Sequence, residues 1–260
     1  MRVCLTAYRI FAYYLSLAAF GTGSLLLNLF CLLFGWLPET PRTRHFFQRL
    51  IHGHFVAWVG WVRVLRICFV HYEGFERLPR GRGLVLAANH PGLLDITYLL
   101  ARVPEAVCIF KPAIRRNPVL GATARAAGYI ASDGGIDLVR AASARVAAGE
   151  TLVIFPEGTR TRAGLANPFK PGFALIAHRG HVPIQTVRIT CDSNALIKGR
   201  PWWKPPQMPA HVTLTLGEAF PPPDLRGVAA TVAEVEAWFH RALAGQPSPF
   251  GAADAAGGPA

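Results

Sequence analysis

The feature that most constrains this chain is an uncharged run: no Asp, Glu, Lys, Arg or His interrupts the 28 residues from Phe11 to Pro38. About 20 apolar residues suffice for a helix to cross a bilayer, and a secretory leader has an apolar core of only about 7–15. The run is therefore expected to be a membrane-retained helix that exits near Gly35 and Pro38. A re-entrant helix and a hairpin buried in a soluble fold are the competing forms. Arg2 and Arg9 precede the run and Arg42, Arg44 and Arg49 follow it, a balance that leans towards a cytoplasmic carboxyl side. A second helix is expected over residues 43–70. At 3.6 residues per turn, His45, Gln48, Arg49, His52, Arg63 and Arg66 share one sector, broken by Val56 and Val59, with Phe46, Phe47, Leu50, Phe55, Trp58, Trp61, Val62 and Leu65 outside it. Such a helix suits the membrane interface, or else covers the protein's own core.

The rest of the composition narrows the class. With 260 residues the chain has room for one buried core plus a helical appendage. Lys and Arg number 27 against 15 Asp and Glu, a net charge of +12 that suits an anionic lipid surface or nucleic acid. No nucleic-acid-binding module accompanies the charge, so membrane lipids are the expected partner and nucleic acid is not. Five cysteines, Cys4, Cys31, Cys68, Cys108 and Cys191, are widely spaced and odd in number. They read as small buried side chains of a cytosol-facing domain, with neither a disulfide framework nor a metal site.

After a connector over 72–83, short apolar segments at 84–88, 107–110, 151–155, 182–190 and 211–216 have strand character. Helical patterns lie at 94–101, 119–127, 136–148, 172–179 and 230–243. The alternation predicts an α/β domain on a mixed, largely parallel sheet flanked by helices. Three regions are expected: a membrane-associated helical pair at 1–75, a catalytic domain at 76–244, and a disordered Gly/Pro/Ala-rich tail at 245–260. The stretch Pro201–Pro209, with Trp202, Trp203 and Lys204, reads as a proline-bounded surface loop.

Two strand ends carry the chemistry. Leu84–Ala88 runs into Asn89-His90-Pro91-Gly92-Leu93-Leu94-Asp95, where Pro91 and Gly92 force a turn. Asp95 can then fold back to accept the Nδ1 proton of His90, leaving Nε2 to take a proton from a hydroxyl. No Ser or Cys lies within Asn89–Asp95, so a direct attack by a substrate alcohol fits better than an acyl-enzyme. The second strand leads into Phe155-Pro156-Glu157-Gly158-Thr159-Arg160, offering close backbone approach, a hydroxyl and a guanidinium for an anion. Lys170, just before a helix start, is a further anion contact. The Gly-x-x-x-x-Gly-Lys pattern of a nucleotide loop is absent.

The ordered pair of motifs, with its spacing of about 65 residues, resembles the lysophospholipid acyltransferase family over roughly residues 84–217. The resemblance implies that His90 is the general base and Asp95 its orienting partner, and that Glu157, Gly158, Thr159 and Arg160 bind the acceptor's phosphate. It likens Val182-Pro183-Ile184 to an acyl-donor motif and Lys111, with Asn117-Pro118 and Gly121, to a block near the acceptor site. It implies an acyl-CoA or acyl-carrier-protein donor, a lysophospholipid acceptor such as 1-acyl-glycerol-3-phosphate, no cofactor, and a place at the bacterial inner membrane with the catalytic domain facing the cytoplasm. One departure stands out: phosphatidic-acid-forming members have an arginine soon after a Gly-x-Ile stretch. Here Gly128-Tyr129-Ile130 leads to Ala131-Ser132-Asp133, with no arginine until Arg140. A lyso-ornithine lipid or a glycolipid is thus an alternative acceptor, a hydrolase an alternative reaction, and a lipid-binding protein the non-enzymatic alternative.

Overall fold

The computed structural model describes residues 2–79, 81–161, 166–195 and 197–246. Of the tail expected at 245–260, residues 247–260 lie outside the described residues. The first helix, α1 (Arg2–Phe34), begins well before Phe11, because the helical pattern of Val3, Leu5 and Ile10 continues upstream. At 1.5 Å per residue its 33 residues extend about 50 Å. α2 (Pro41–Val64) opens with a capping box, in which Thr40 and Thr43 exchange side-chain and backbone bonds and Pro41 fills the first turn. Its stripe Phe47, Ile51, Trp58 and Val62 is buried in the core, whereas Phe46, Val56, Trp61 and Val64 face outward.

α2 stops short of residue 70. Arg66 takes a left-handed φ of 53°, and the chain becomes a strand, β1 (Cys68–Glu73), where helix and connector were expected. Phe69, Val70 and Tyr72 are good strand formers whose apolar spacing also continues the helical pattern, which hid the change. The sheet therefore begins ahead of the expected boundary at residue 76.

The remaining elements are β2 (Leu84–Ala88), α3 (Asp95–Leu100), β3 (Val107–Phe110), α4 (Gly121–Ala126), β4 (Ile130–Ala131), α5 (Gly135–Ala147), β5 (Thr151–Ile154), α6 (Gly172–Gly180), β6 (Ile184–Cys191), β7 (Ala210–Phe220) and α7 (Val228–Leu243). They build a seven-stranded sheet in the order β1-β7-β6-β2-β5-β3-β4, parallel throughout except where β6 meets β7. The predicted mixed, largely parallel sheet flanked by helices is what forms; β4, only two residues long, went unread. β2 lies near its middle and is wholly buried. Alternation divides its side chains: Leu84, Leu86 and Ala88 join Phe47, Ile51 and Leu99 on the α1–α4 face, while Val85 and Ala87 join Phe173, Ile176 and Phe239 on the α5–α7 face.

α1 is long and apolar enough to cross a membrane, yet it is fastened to the domain along its length. Near its start the Tyr13 and Tyr14 hydroxyls donate to the carbonyls of Trp202 and Trp203. Farther along, Trp58 Nε1 donates to the Ser16 carbonyl (3.3 Å) and Ser24 pairs with His54 (3.2 Å). Asn28, 2% exposed, accepts from the N–H groups of Ala122 (2.8 Å) and Thr123 (3.0 Å) and donates to the Pro118 carbonyl (2.7 Å). This caps α4, whose first N–H groups have no partner within the helix. Tyr13 and Asn28 are about 22 Å apart along the axis. The outer side of α1 carries Leu25, Leu26, Leu29, Leu32, Leu33 and Phe34, all exposed.

Candidate active site

The carboxyl ends of β2 and β5 are neighbours in the sheet, since Ala87 pairs with Ile154, and their two loops meet there. Asn89 ends β2 by continuing its ladder through a side chain: Oδ1 accepts from Ile189 N (2.7 Å) and Nδ2 donates to Ile189 O (2.8 Å). The backbone is thereby released to turn. His90 stacks on Phe155, ring centroids 4.0 Å apart and planes 14° apart, which fixes the imidazole against the second loop.

Asp95 opens α3 and is 3% exposed. Its Oδ2 lies 2.8 Å from His90 Nδ1 and accepts the Gly92 N–H at 2.8 Å. The Pro91–Gly92 turn thus orients the carboxylate and the carboxylate orients the imidazole, placing the proton on Nδ1 and the lone pair on Nε2. Burial pushes the Asp95 carboxyl up, opposed by its bond to His90, by the Gly92 N–H and by the charge of Arg160. A small recess of about 30 Å³ adjoins Asp95, lined by Leu94, Tyr98, Cys191, Ile197 and Val212 among others. It has room for about one water molecule. Burial pushes the Cys191 thiol there up to about 12, which favours the protonated thiol.

Glu157 takes a different place from the one its motif implied. Its carboxylate is 3% exposed and faces inward, accepting from His90 N (2.9 Å), Thr161 Oγ1 (2.9 Å), Asn167 N (2.9 Å) and Asn167 Nδ2 (2.6 Å). Thr161 N in turn donates to the His90 carbonyl (2.8 Å). Four donors leave this carboxylate no capacity to spare for substrate, and a negative charge repels phosphate in any case. Glu157 ties the two loops together and holds the His90 backbone.

The features expected to bind an anion collect around the next residues. Gly158 has φ 67°, and a Cβ on it would lie 3.0 Å from Lys170 Nζ, so the lysine lies across the glycine. Thr159 Oγ1 accepts from Lys198 Nζ at 3.0 Å. Lys198 was not among the residues expected from sequence. It sits on the loop between β6 and β7, brought in by a bridge between Ile197 and Gly92. β6 runs parallel to β2, so the loop after it emerges beside His90, and that rule applied to the apolar strand 182–190 is the signal that finds it. Arg160, Lys170 and Lys198 thus gather at one turn. Arg140, the next arginine after the Gly-x-Ile stretch, is instead 2.8 Å from Asp137 on the exposed side of α5.

Two other expected sites fall elsewhere. Val182, Pro183 and Ile184 lie at the amino end of β6, where Ile184 pairs with Val85, at the opposite end of β2 from His90. Val182 and Ile184 are buried with Val146 and Phe173, which makes the motif a packing element. Lys111 is exposed and opens a 3-10 turn after β3, at the same end of the sheet as His90 but two strands away. Among the described residues no cluster of three metal-binding side chains occurs.

A family model described as Acyltransferase matches residues 69–190, which contain both loops. A 1-acyl-sn-glycerol-3-phosphate acyltransferase of Helicobacter pylori is 33% identical over 139 residues, covering 51% of this chain and 58% of that protein. A lyso-ornithine lipid O-acyltransferase of Rhodobacter capsulatus is 28% identical over 188 residues, covering 66% of this chain and 67% of that protein. The chain spans about half the length of the first curated relatives it matches. The crystal structure of the 1-acyl-sn-glycerophosphate acyltransferase PlsC from Thermotoga maritima has the same fold, with a TM-score of 0.67 at 23% identity, over 94% of this chain and 96% of that one. The segment 69–190, which holds the His90–Asp95 pair and Arg160 and Lys170 of the turn beside it, is thus similar to the acyltransferase family.

Proposed function

We propose that this chain transfers a fatty acyl group from a thioester, acyl-CoA or acyl-carrier protein, to the free hydroxyl of a lysophospholipid, with 1-acyl-glycerol-3-phosphate as acceptor and phosphatidic acid as product. The observation that carries this reading is the His90–Asp95 pair held 2.8 Å apart beside a turn bearing Arg160, Lys170 and Lys198. The acceptor hydroxyl attacks the thioester carbonyl as His90 Nε2 takes its proton. The tetrahedral intermediate then expels the thiolate, and the imidazolium returns the proton to sulfur. Asp95 stabilises that imidazolium, and the cationic turn holds the phosphate so that the hydroxyl meets the carbonyl.

In this reading α1 and α2 form the membrane-associated unit and β1 to α7 the catalytic one. α1 lies along the bilayer surface instead of crossing it, because a perpendicular axis would drag α4 and the Trp202–Trp203 loop into hydrocarbon. Five unpaired cysteines fit the reducing, cytoplasmic face of a bacterial inner membrane.

The missing arginine after Ile130 and the presence of Asp133 favour a second reading, acylation of a lyso-ornithine lipid, whose headgroup carries an ammonium. Labelled acyl-CoA and acyl-carrier protein, offered with both acceptors and read by mass spectrometry, separate the two. Phosphatidic acid from wild type and none from His90→Ala is expected. Ornithine lipid alone would establish the second reading, and free fatty acid alone would make the chain a hydrolase.

A further inference from the structure

The loop between β6 and β7 joins the cationic turn to the surface on which α1 lies. Its stem is tied down at the base, where Ser193 Oγ donates to the Gln207 carbonyl (2.6 Å) and Gln207 N donates to Asn194 Oδ1 (3.0 Å). Next come Ile197, bridged to Gly92, and Lys198 on Thr159. At the tip Trp202 and Trp203 are 56% and 55% exposed, their rings 5.7 Å apart and nearly perpendicular. The tip is stiff: Arg200 donates to the Pro205 carbonyl at 2.7 Å and Lys204 N to the Pro201 carbonyl at 3.1 Å.

Two adjacent tryptophans held open to solvent leave a large apolar area without a partner. What lies next to them identifies the partner. Tyr13 and Tyr14 of α1 grasp the two tryptophan carbonyls, and Phe11 and Tyr14, one helical turn apart, are themselves exposed. The tryptophan pair therefore continues the outward apolar side of α1, and exposed Lys204 adds a positive charge at its edge. Indole rings with a polar edge, beside tyrosines and a lysine, suit the headgroup level of an anionic bilayer.

We propose that Trp202 and Trp203 form a second membrane contact, separate in sequence from α1 and α2, that seats the β6–β7 loop on lipid and so holds Lys198 and Ile197 at the active site when the protein is on its membrane. The contact itself does not depend on the acyl-transfer reading; its link to acceptor use does.

The test uses the full chain reconstituted into phosphatidylethanolamine–phosphatidylglycerol vesicles. An environment-sensitive fluorophore is attached through Trp203→Cys in a Cys4→Ser background, where the other four cysteines are not exposed. The same label placed through Arg140→Cys, on α5 across the sheet, is the control. The label at 203 is expected to shift to the blue, to be quenched by nitroxide near the lipid headgroups and to be shielded from aqueous iodide, unlike the label at 140. Equal iodide access at both positions overturns the proposal. So does shielding at 203 without lipid-borne quenching, which would point to a second copy of the chain as the occupant. In the activity arm, Trp202→Ser with Trp203→Ser should raise the apparent KM for vesicle-borne acceptor by about tenfold, equivalent to a loss of 1.4 kcal/mol in binding. The kcat and melting temperature should stay unchanged, and the double phenylalanine variant should restore the KM. An unchanged KM overturns the coupling. A wild type with no transferase activity bears only on the acyl-transfer reading, because quenching reports the membrane contact directly.

Discussion

Glu157→Gln separates a carboxylate that builds the site from one that binds substrate. In the fold the carboxylate holds four donors, from His90 N, Thr161 Oγ1 and the two Asn167 nitrogens. The amide keeps the shape but loses the charge, and it turns one acceptor oxygen into an NH₂ facing donors. Hydrogen bonds to a charged group contribute about 1.5–3 kcal/mol each, so weakening four and losing at least one costs roughly 3 kcal/mol. For a chain of this size that lowers the melting temperature by roughly 6–12 °C. The catalytic loss arises through the His90 backbone: a displacement of about 1 Å at a catalytic group costs on the order of 10²-fold in rate. Steady-state kinetics with a phosphate-bearing and a neutral acceptor, together with a thermal melt in detergent, form the assay. Loss of kcat for both acceptors, with unchanged KM and a lowered melt, is expected. A raised KM confined to the phosphate-bearing acceptor, with kcat and melt unchanged, would falsify the structural role and return Glu157 to the acceptor.

Lys198→Met should raise KM for a phosphate-bearing acceptor by about 10- to 100-fold, the worth of one charge-assisted bond, and leave a neutral acceptor alone; equal effects on both would remove Lys198 from phosphate recognition. Asp95 gives a pH test with a definite sign. Its carboxyl is raised above 3.8, so the native state holds the proton more tightly than the unfolded chain; this contribution is fully present below the unfolded value and is lost as pH climbs through the folded one. The melting temperature of wild type minus that of Asp95→Asn should accordingly fall as pH rises from 3.8 through the raised folded value, and a flat difference refutes the burial effect. Asn28→Leu strands the Ala122 and Thr123 N–H groups at a cost of about 1–3 kcal/mol each, lowering the melt without releasing the protein from membranes. Release into the soluble fraction would contradict the view that exposed leucines, and not Asn28, hold α1 on lipid.

What could be read from the sequence followed physical scale. β2 and β5 announced themselves as short apolar runs broken by proline turns, and Asp95 lies five residues from His90, so local geometry alone brings them together. β1 escaped because the apolar spacing of Phe69 to Tyr72 serves a helix as well as a strand, and only its pairing with β7 decides between them. The bonding of Glu157 escaped because its donors come from residues four to 67 positions away, and nothing local distinguishes a carboxylate that faces inward. Val182–Ile184 misled for a related reason: register with β2 sets which end of the sheet a motif occupies, and register is a tertiary property.

The antiparallel junction between β6 and β7 has a consequence for how such a protein diversifies. Because β7 returns beside β6, the connection between them needs no crossover helix and carries no part of the parallel frame. It begins and ends at the rim that holds His90, so its length and composition can change while every other strand keeps its register. Such a segment is a natural unit of exchange. Grafting it between homologous chains offers a route to altered headgroup preference that leaves the His–Asp pair of the recipient intact.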